Sequence, residues 1–230
     1  EGPIATLTMG AQAAATNWPG GSYDPDTHTL YVASHTGIAT LGLMPPAPGT
    51  ADFAYHQGTV LSGARTSGGS GSSAGAAPEG VPRTGAPLTA QGLPLVKPPY
   101  SRITAIDLDK GEFRWQVPFG ATPDSIKNHP ALKGLELPPL GRPGNNVGTL
   151  VTKTLVIAGE GNIGPTPNGQ RGAMLRAFDK LTGKEAGAVY MSAPQSGSPM
   201  TYTHNGSQYL VVAISGAGYP GELAAYRVRP

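Results

Sequence analysis

The sequence predicts an all-β protein built from meandering antiparallel sheets, and three observations carry that expectation. No stretch of about eleven residues places apolar side chains at the i, i+3, i+4, i+7 spacing of an amphipathic helix. Short runs rich in Val, Ile, Thr, Tyr and Phe recur instead. Turn chemistry separates these runs, in a chain of 230 residues with 34 glycines and 24 prolines.

Taken in order, the expected strands are Gly21–Asp24, Thr29–Ser34, Gly37–Leu43, Arg102–Leu108, Phe113–Pro118, Gly148–Thr152, Thr154–Ala158, Ala173–Asp179, Glu185–Tyr190, Pro199–His204, Ser207–Ser215 and Leu223–Val228. Asp24-Pro25-Asp26 and Asn205-Gly206 are hairpin signals, because Asn and Gly tolerate positive φ and Asp binds nearby amides. A repeat lies inside this pattern. Residues 105–115 read Ala-Ile-Asp-Leu-Asp-Lys-Gly-Glu-Phe-Arg-Trp, and residues 177–187 read Ala-Phe-Asp-Lys-Leu-Thr-Gly-Lys-Glu-Ala-Gly. Both copies describe a strand, a tight turn and a returning strand. The aspartate accepts from turn amides and the glycine takes the positive-φ position. Trp115 closes the first copy and is placed to pack between neighbouring sheets, whereas the second copy has Gly187 there.

Laid against the repeat, the strands form a four-strand cycle: one unit from Gly21 to Pro118, a second from Gly148 to Tyr190, and a third of three strands from Pro199 to Val228. Such cycles are β-propeller blades. About three blades cannot close a ring of 4–8, and three alone would leave edges unpaired. The expectation is an incomplete propeller that needs an upstream segment of a longer polypeptide. The chain opens Glu1-Gly2-Pro3 without an initiator methionine, read as a processed or truncated start. Residues 62–94 form a Gly/Ser/Pro-rich insert loop with too few large apolar residues to order itself.

Composition excludes several functions. With no cysteine there is no disulfide framework, thiolate metal site or cysteine nucleophile. A net charge of +2 without a Lys/Arg cluster gives no nucleic-acid footprint. The five histidines (His28, His35, His56, His129, His204) lack metal-ligand spacing. Gly159-Glu160-Gly161-Asn162-Ile163-Gly164 is not followed by a helical pattern, so it is not a dinucleotide loop. Asp107 and Asp179 are conspicuous carboxylates that the blade turns already explain. No metal-ligating or catalytic residue is assigned within the chain.

Four segments, in order, carry a resemblance to a known family. They are Thr16-Asn17-Trp18-Pro19-Gly20-Gly21-Ser22-Tyr23-Asp24-Pro25; Gly92 to Tyr100 running into the first repeat; Thr122-Pro123-Asp124 with Asn128 to Gly134; and Gly197-Ser198-Pro199-Met200-Thr201-Tyr202 followed by Gln208-Tyr209 and Gly216 to Gly221. The chain resembles the C-terminal portion of the pyrroloquinoline-quinone (PQQ) dehydrogenases, eight-bladed quinoprotein propellers, in their membrane glucose dehydrogenase-like branch. The resemblance implies oxidation of a sugar or alcohol by hydride transfer to PQQ beside a Ca2+ ion. It places the calcium ligands and the proton-abstracting aspartate outside this chain, on earlier blades. It also implies an extracytoplasmic or periplasmic location, with membrane association through a missing N-terminal segment as one form, and a quinone or cytochrome as electron acceptor.

The resemblance carries over four cofactor-binding residues. Asn17 matches a family asparagine that hydrogen-bonds the quinone edge, where an amide donor suits a carbonyl that gains charge on reduction. Trp18 would wall the cofactor site. Tyr219 stands where related alcohol dehydrogenases carry a Trp in a Gly-Gly-Trp-Pro-Gly loop near PQQ. Asn146 stands where the alcohol enzymes have an aromatic residue close to the cofactor. The rival reading is a non-catalytic propeller scaffold that keeps the blades and has lost the cofactor.

Overall fold

The computed structural model describes residues 6–9, 15–46, 48–61, 64–67, 89–144, 147–216 and 218–228. Two compact units divide the chain, one comprising 1–15 and 37–96 and the other 16–36 and 97–230. The smaller unit contains a four-stranded antiparallel sheet in the order Thr6–Met9, Ile38–Met44, His56–Leu61, Ala64–Ser67, and a short hairpin of Thr89–Ala90 with Leu93–Pro94. Of the expected insert, residues 62–63 and 68–88 lie outside the described residues.

The larger unit holds three blades. Blade one runs from inside to outside through Gly21–Asp24, Thr29–His35, Ser101–Asp107 and Glu112–Pro118, each antiparallel to the next. Blade two runs Leu150–Val151, Leu155–Gly159, Arg171–Asp179 and Glu185–Met191, with Gly164–Pro165 pairing the start of the third strand. Blade three has Met200–His204, Ser207–Gly216 and Tyr219–Arg227. Blades of four, four and three strands are therefore present, one strand fewer in the first than the five expected between Gly21 and Pro118. The expected strand Gly37–Leu43 is real as Ile38–Met44, but it pairs with Thr6–Met9 and His56–Leu61 and not with blade one. Its apolar pattern shows that it is a strand; its partner is set by long-range contacts that the local pattern does not encode.

Burial explains the differing patterns of the blades. Blade two is covered on both faces, so Val156, Ile157 and Ala158 are consecutively buried, as are Ala173, Met174 and Leu175. On one face it packs with Tyr31, Ala33, Ile103, Ala105 and Phe119. On the other it packs with Val212 and Ile214. In blade one the strand Thr29–His35 alternates strictly between buried and half-buried, the mark of a sheet with one face packed. Its uncovered face presents Tyr23 and Phe113, and blade three presents Met200, Tyr202 and Leu223, all exposed. Tyr202 stacks on Tyr209 with ring centroids 5.2 Å apart.

The repeated turns use the chemistry their sequence implies. Asp107 Oδ1 accepts from the amides of Asp109 and Lys110, and Asp179 Oδ1 from those of Leu181 and Thr182. The Thr182 hydroxyl also donates to Asp179 and holds its carboxyl below the usual range. Gly111 and Gly183 both sit at φ +71°. Trp115 bridges blades one and two: its Nε1 donates to Lys180 O at 3.0 Å, and its ring lies 5.7 Å from that of Tyr31. Tyr31 donates to the same carbonyl. Beneath them the Lys180 ammonium, almost buried, reaches Asp24 at 2.7 Å. That bond, with smaller help from Thr27 and the Asp26 amide, lowers the Asp24 pKa against the opposing effect of burial.

Candidate functional site at the inner-strand starts

Strand register places several loops at one end of the larger unit. The inner strands of the blades begin there, after residues 16–20, 147–149 and 197–199. The turn between the last two strands of blade three, at Gly216 to Tyr219, reaches the same end, because Gln195 bridges Ile214 and the Ser215 amide bonds Pro194 O. The repeated turns, 107–111 and 179–183, lie at the opposite end.

Asn17 and Trp18 occupy a tight turn ahead of blade one's inner strand. The Gly20 amide donates to Asn17 O at 2.9 Å. The Trp18 amide donates to Asn17 Oδ1 at 2.8 Å. That bond orients the side chain, with Oδ1 turned to its own backbone and Nδ2 as the donor end. Trp18 is 77% exposed, unusual for so large an apolar ring. Tyr219 is 46% exposed at this same end. It opens the last strand, four residues earlier than the expected Leu223, because Gly216 and Gly218 take positive φ and turn the chain at once. The structure thus puts Asn17, Trp18 and Tyr219 at one end of the unit, on two different blades. Asn146 lies outside the described residues.

Between these segments is a backbone hub that the sequence did not reveal. Val147 pairs with Gly197 in a parallel bridge, and the Gly148 amide donates to Gly197 O. Gln195, 2% exposed, donates from Nε2 to Gly148 O and Gly197 O and accepts from the Gly159 amide. Ser198 Oγ donates to Pro19 O at 3.1 Å. A Cβ at Gly148 would collide with Ser198 Oγ, so only glycine permits this approach. Thr149 Oγ1 meets Ser22 Oγ at 2.8 Å and bonds Tyr31 O, joining blades one and two.

Beside the hub is a buried ionic network. Glu160, 1% exposed, accepts from Arg176 at 2.9 Å, from the amides of Ala121 and Met174, and at 3.5 Å from Arg142. Arg176 is completed by Glu185. Arg142 is buried with Nη2 unpartnered, and burial lowers its pKa. Gly164 lies so close to this guanidinium that a Cβ there would overlap it. Glu160 belongs to the segment set aside as a non-nucleotide loop, and no local motif betrays its pairing. Of the histidines, His28 pairs with Asp109 at 2.9 Å and His129 Nδ1 accepts from the Ala131 amide. Among the described residues, no cluster of three His, Asp or Glu side chains is arranged to hold a metal, and no helix is long and apolar enough to cross a membrane.

Fold and site define a class: a sector of a β-propeller whose inner-strand loops converge at one end and there present exposed aromatic side chains. Comparison with known proteins names the family. Residues 3–210 match the family described as PQQ "Glucose/ethanol/alcohol dehydrogenase, beta-propeller domain", and the chain belongs to it. It is similar to the probable quinate dehydrogenase (quinone) of Xanthomonas campestris pv. juglandis, at 30% identity over 94% of this chain and 25% of that protein. It is also similar to quinoprotein glucose dehydrogenase A of Acinetobacter calcoaceticus, at 29% identity over 93% of this chain and 24% of that protein. A structural likeness to the quinohemoprotein alcohol dehydrogenase ADHIIG of Pseudomonas putida HK5, at a TM-score of 0.51 and 18% identity, covers 94% of this chain and 24% of that one and bears on the fold. The chain spans about a quarter of the length of the curated relatives it matches.

The residues present suit PQQ in chemical type. The cofactor is a flat, polar quinone, which calls for an aromatic face and a donor at its carbonyl edge. The exposed Trp18 indole and Tyr219 ring provide the first, and the oriented Asn17 amide the second.

Proposed function

We propose that the chain forms the last blades of a PQQ-dependent dehydrogenase that oxidises a sugar or another alcohol, and that its inner-strand loops form one wall of the cofactor pocket. The observation that carries this reading is the pairing of an oriented Asn17 amide with an exposed Trp18 at the end where the inner strands start. PQQ would supply a hydride acceptor for the substrate carbon, and Ca2+ would be held by residues outside this chain. Asn17 Nδ2 would donate to a quinone oxygen and stabilise the negative charge that grows there on reduction. Trp18 and Tyr219 would cover the ring and exclude water. The exposed outer faces of blades one and three support a larger ring in which further blades of the same protein cover Tyr23, Phe113, Met200 and Leu223. An extracytoplasmic location and a quinone or cytochrome acceptor complete the proposal.

The test is reconstitution of the full-length apo-protein with PQQ and calcium. It should develop quinone absorbance and dye-linked oxidation of a sugar or alcohol. Asn17→Ala should lower turnover on the order of a hundredfold with unchanged thermal unfolding. Absence of quinone binding in the wild type would favour a scaffold without cofactor, and full turnover in the variant would refute the role of Asn17 at the quinone edge.

A further inference from the structure

We infer that Ser198 is a positioning residue for the turn that carries Asn17 and Trp18; its relevance to the cofactor rests on the function proposed above. The turn projects ahead of blade one's inner strand and is secured on two sides. On one side Thr16 Oγ1 donates to Ala33 O at 3.1 Å within the same blade. On the other, Ser198 Oγ donates to Pro19 O, the carbonyl in the middle of the turn. This second tie reaches across from the segment that opens blade three, which also lies against Val147 and Gly148 ahead of blade two. It fixes where the turn sits relative to the remaining loops, which a bond within blade one cannot do.

Ser198 can serve as an anchor because its own backbone is held. Gly197 is bridged to Val147 and accepts from both the Gly148 amide and Gln195 Nε2. Gln195 is itself fixed by Gly148 O and the Gly159 amide and is shielded from water. The missing Cβ at Gly148 lets the Ser198 hydroxyl sit against the segment that leads into blade two's inner strand. A rigid platform built from blades two and three thus ends in one hydroxyl, and that hydroxyl donates to the Asn17 turn. Displacing the turn would move the Asn17 amide as well, since Trp18 N–H and Asn17 Oδ1 lock the side chain to the turn. Orientation of a donor by about an ångström is enough to alter its electrostatic effect.

Ser198→Ala removes only the hydroxyl, and Ser198→Thr keeps it. In the full-length protein the first readout is amide hydrogen exchange. Ser198→Ala should speed exchange at Trp18 and Gly20 roughly fivefold, as expected for loss of one hydrogen bond, while the amides of Leu155–Gly159 keep the wild-type rate. Ser198→Thr should restore protection. The second readout is calorimetric titration of PQQ into apo-protein with calcium present, where Ser198→Ala should weaken affinity by roughly the same factor. Unchanged exchange at Trp18 and Gly20 would overturn the inference, as would a rise spread equally over Leu155–Gly159. Faster exchange at the turn with unchanged PQQ affinity would uphold the positioning role and refute the contact between Asn17 and the cofactor.

Discussion

Gly183→Ala should destabilise the protein several times more than Gly111→Ala, although the two glycines hold the same place in the repeat. Both sit at φ +71°, so each substitution forces an L-residue into the left-handed region at about 1 kcal/mol. At Gly111 nothing lies within 4 Å of the new methyl, and the cost stops there. At Gly183 the methyl would stand 2.7 Å from Trp115 Cε3, 2.8 Å from Cδ2 and 3.0 Å from Val117 Cγ1. The indole cannot easily retreat, because Nε1 is bonded to Lys180 O and the ring packs on Tyr31. Overpacking of this kind adds about 1–3 kcal/mol. Trp115→Ala alone should cost about 3 kcal/mol. In that background the Gly183→Ala penalty should fall back to about 1 kcal/mol, which appears as coupling in a double-mutant cycle. Urea midpoints at constant slope measure all four values. Equal costs at Gly111 and Gly183, or a Gly183 penalty that survives loss of Trp115, would refute the docking of this indole between the blades.

Three further outcomes follow from charged groups and the hub. Asp24→Asn should cost about 2 kcal/mol at neutral pH by leaving the Lys180 ammonium without its partner. The Asp24 pKa is lowered on folding, so its contribution is present above the unfolded carboxyl value, near 3.9, and is lost as pH falls through the folded value. The Lys180 pKa is raised by Asp24, so its contribution is present below about 10.4 and is lost as pH rises through the folded value. Melting temperatures of wild type and variant should therefore converge at strongly acid and strongly alkaline pH, and a constant gap would contradict the pairing. Glu160→Gln leaves Arg142 and Arg176 buried without that carboxylate and should cost about 3 kcal/mol in urea; a cost below about 1 kcal/mol would show that the network is dispensable. Gly148→Ala should destabilise through collision with Ser198, and Ser198→Gly should relieve part of that loss.

Local chemistry made much of this fold legible. The Asp107 and Asp179 turns depend on amides two and three residues away, so a short motif encodes them completely. Gly21–Asp24 and its hairpin partner could be located because Asp24 caps the turn through the Asp26 amide and the Thr27 hydroxyl. The fate of Ile38–Met44 was not legible, since strand pattern leaves the partner open. The candidate site divides in the same way. Asn17, Trp18 and Tyr219 lie in segments that resemble a family. Gln195, Ser198 and Glu160 act through residues far away in sequence, Ser198 on Pro19 and Gln195 on Gly148 and Gly159. No periodicity or spacing marks a lone Gln or Ser whose partners are backbone groups of another blade, or a Glu whose partners are arginines in separate segments.

The most direct test of the central claim is the infrared difference spectrum of the quinone carbonyls in the reconstituted full-length protein, with PQQ isotopically labelled at those carbonyls. A donor at the quinone edge lowers the stretching frequency of the carbonyl it binds. If Asn17 Nδ2 is that donor, Asn17→Ala should shift one labelled band upward, toward the frequency of a carbonyl without that bond, and leave the other in place. Superimposable spectra for wild type and Asn17→Ala would place the cofactor elsewhere and contradict the account.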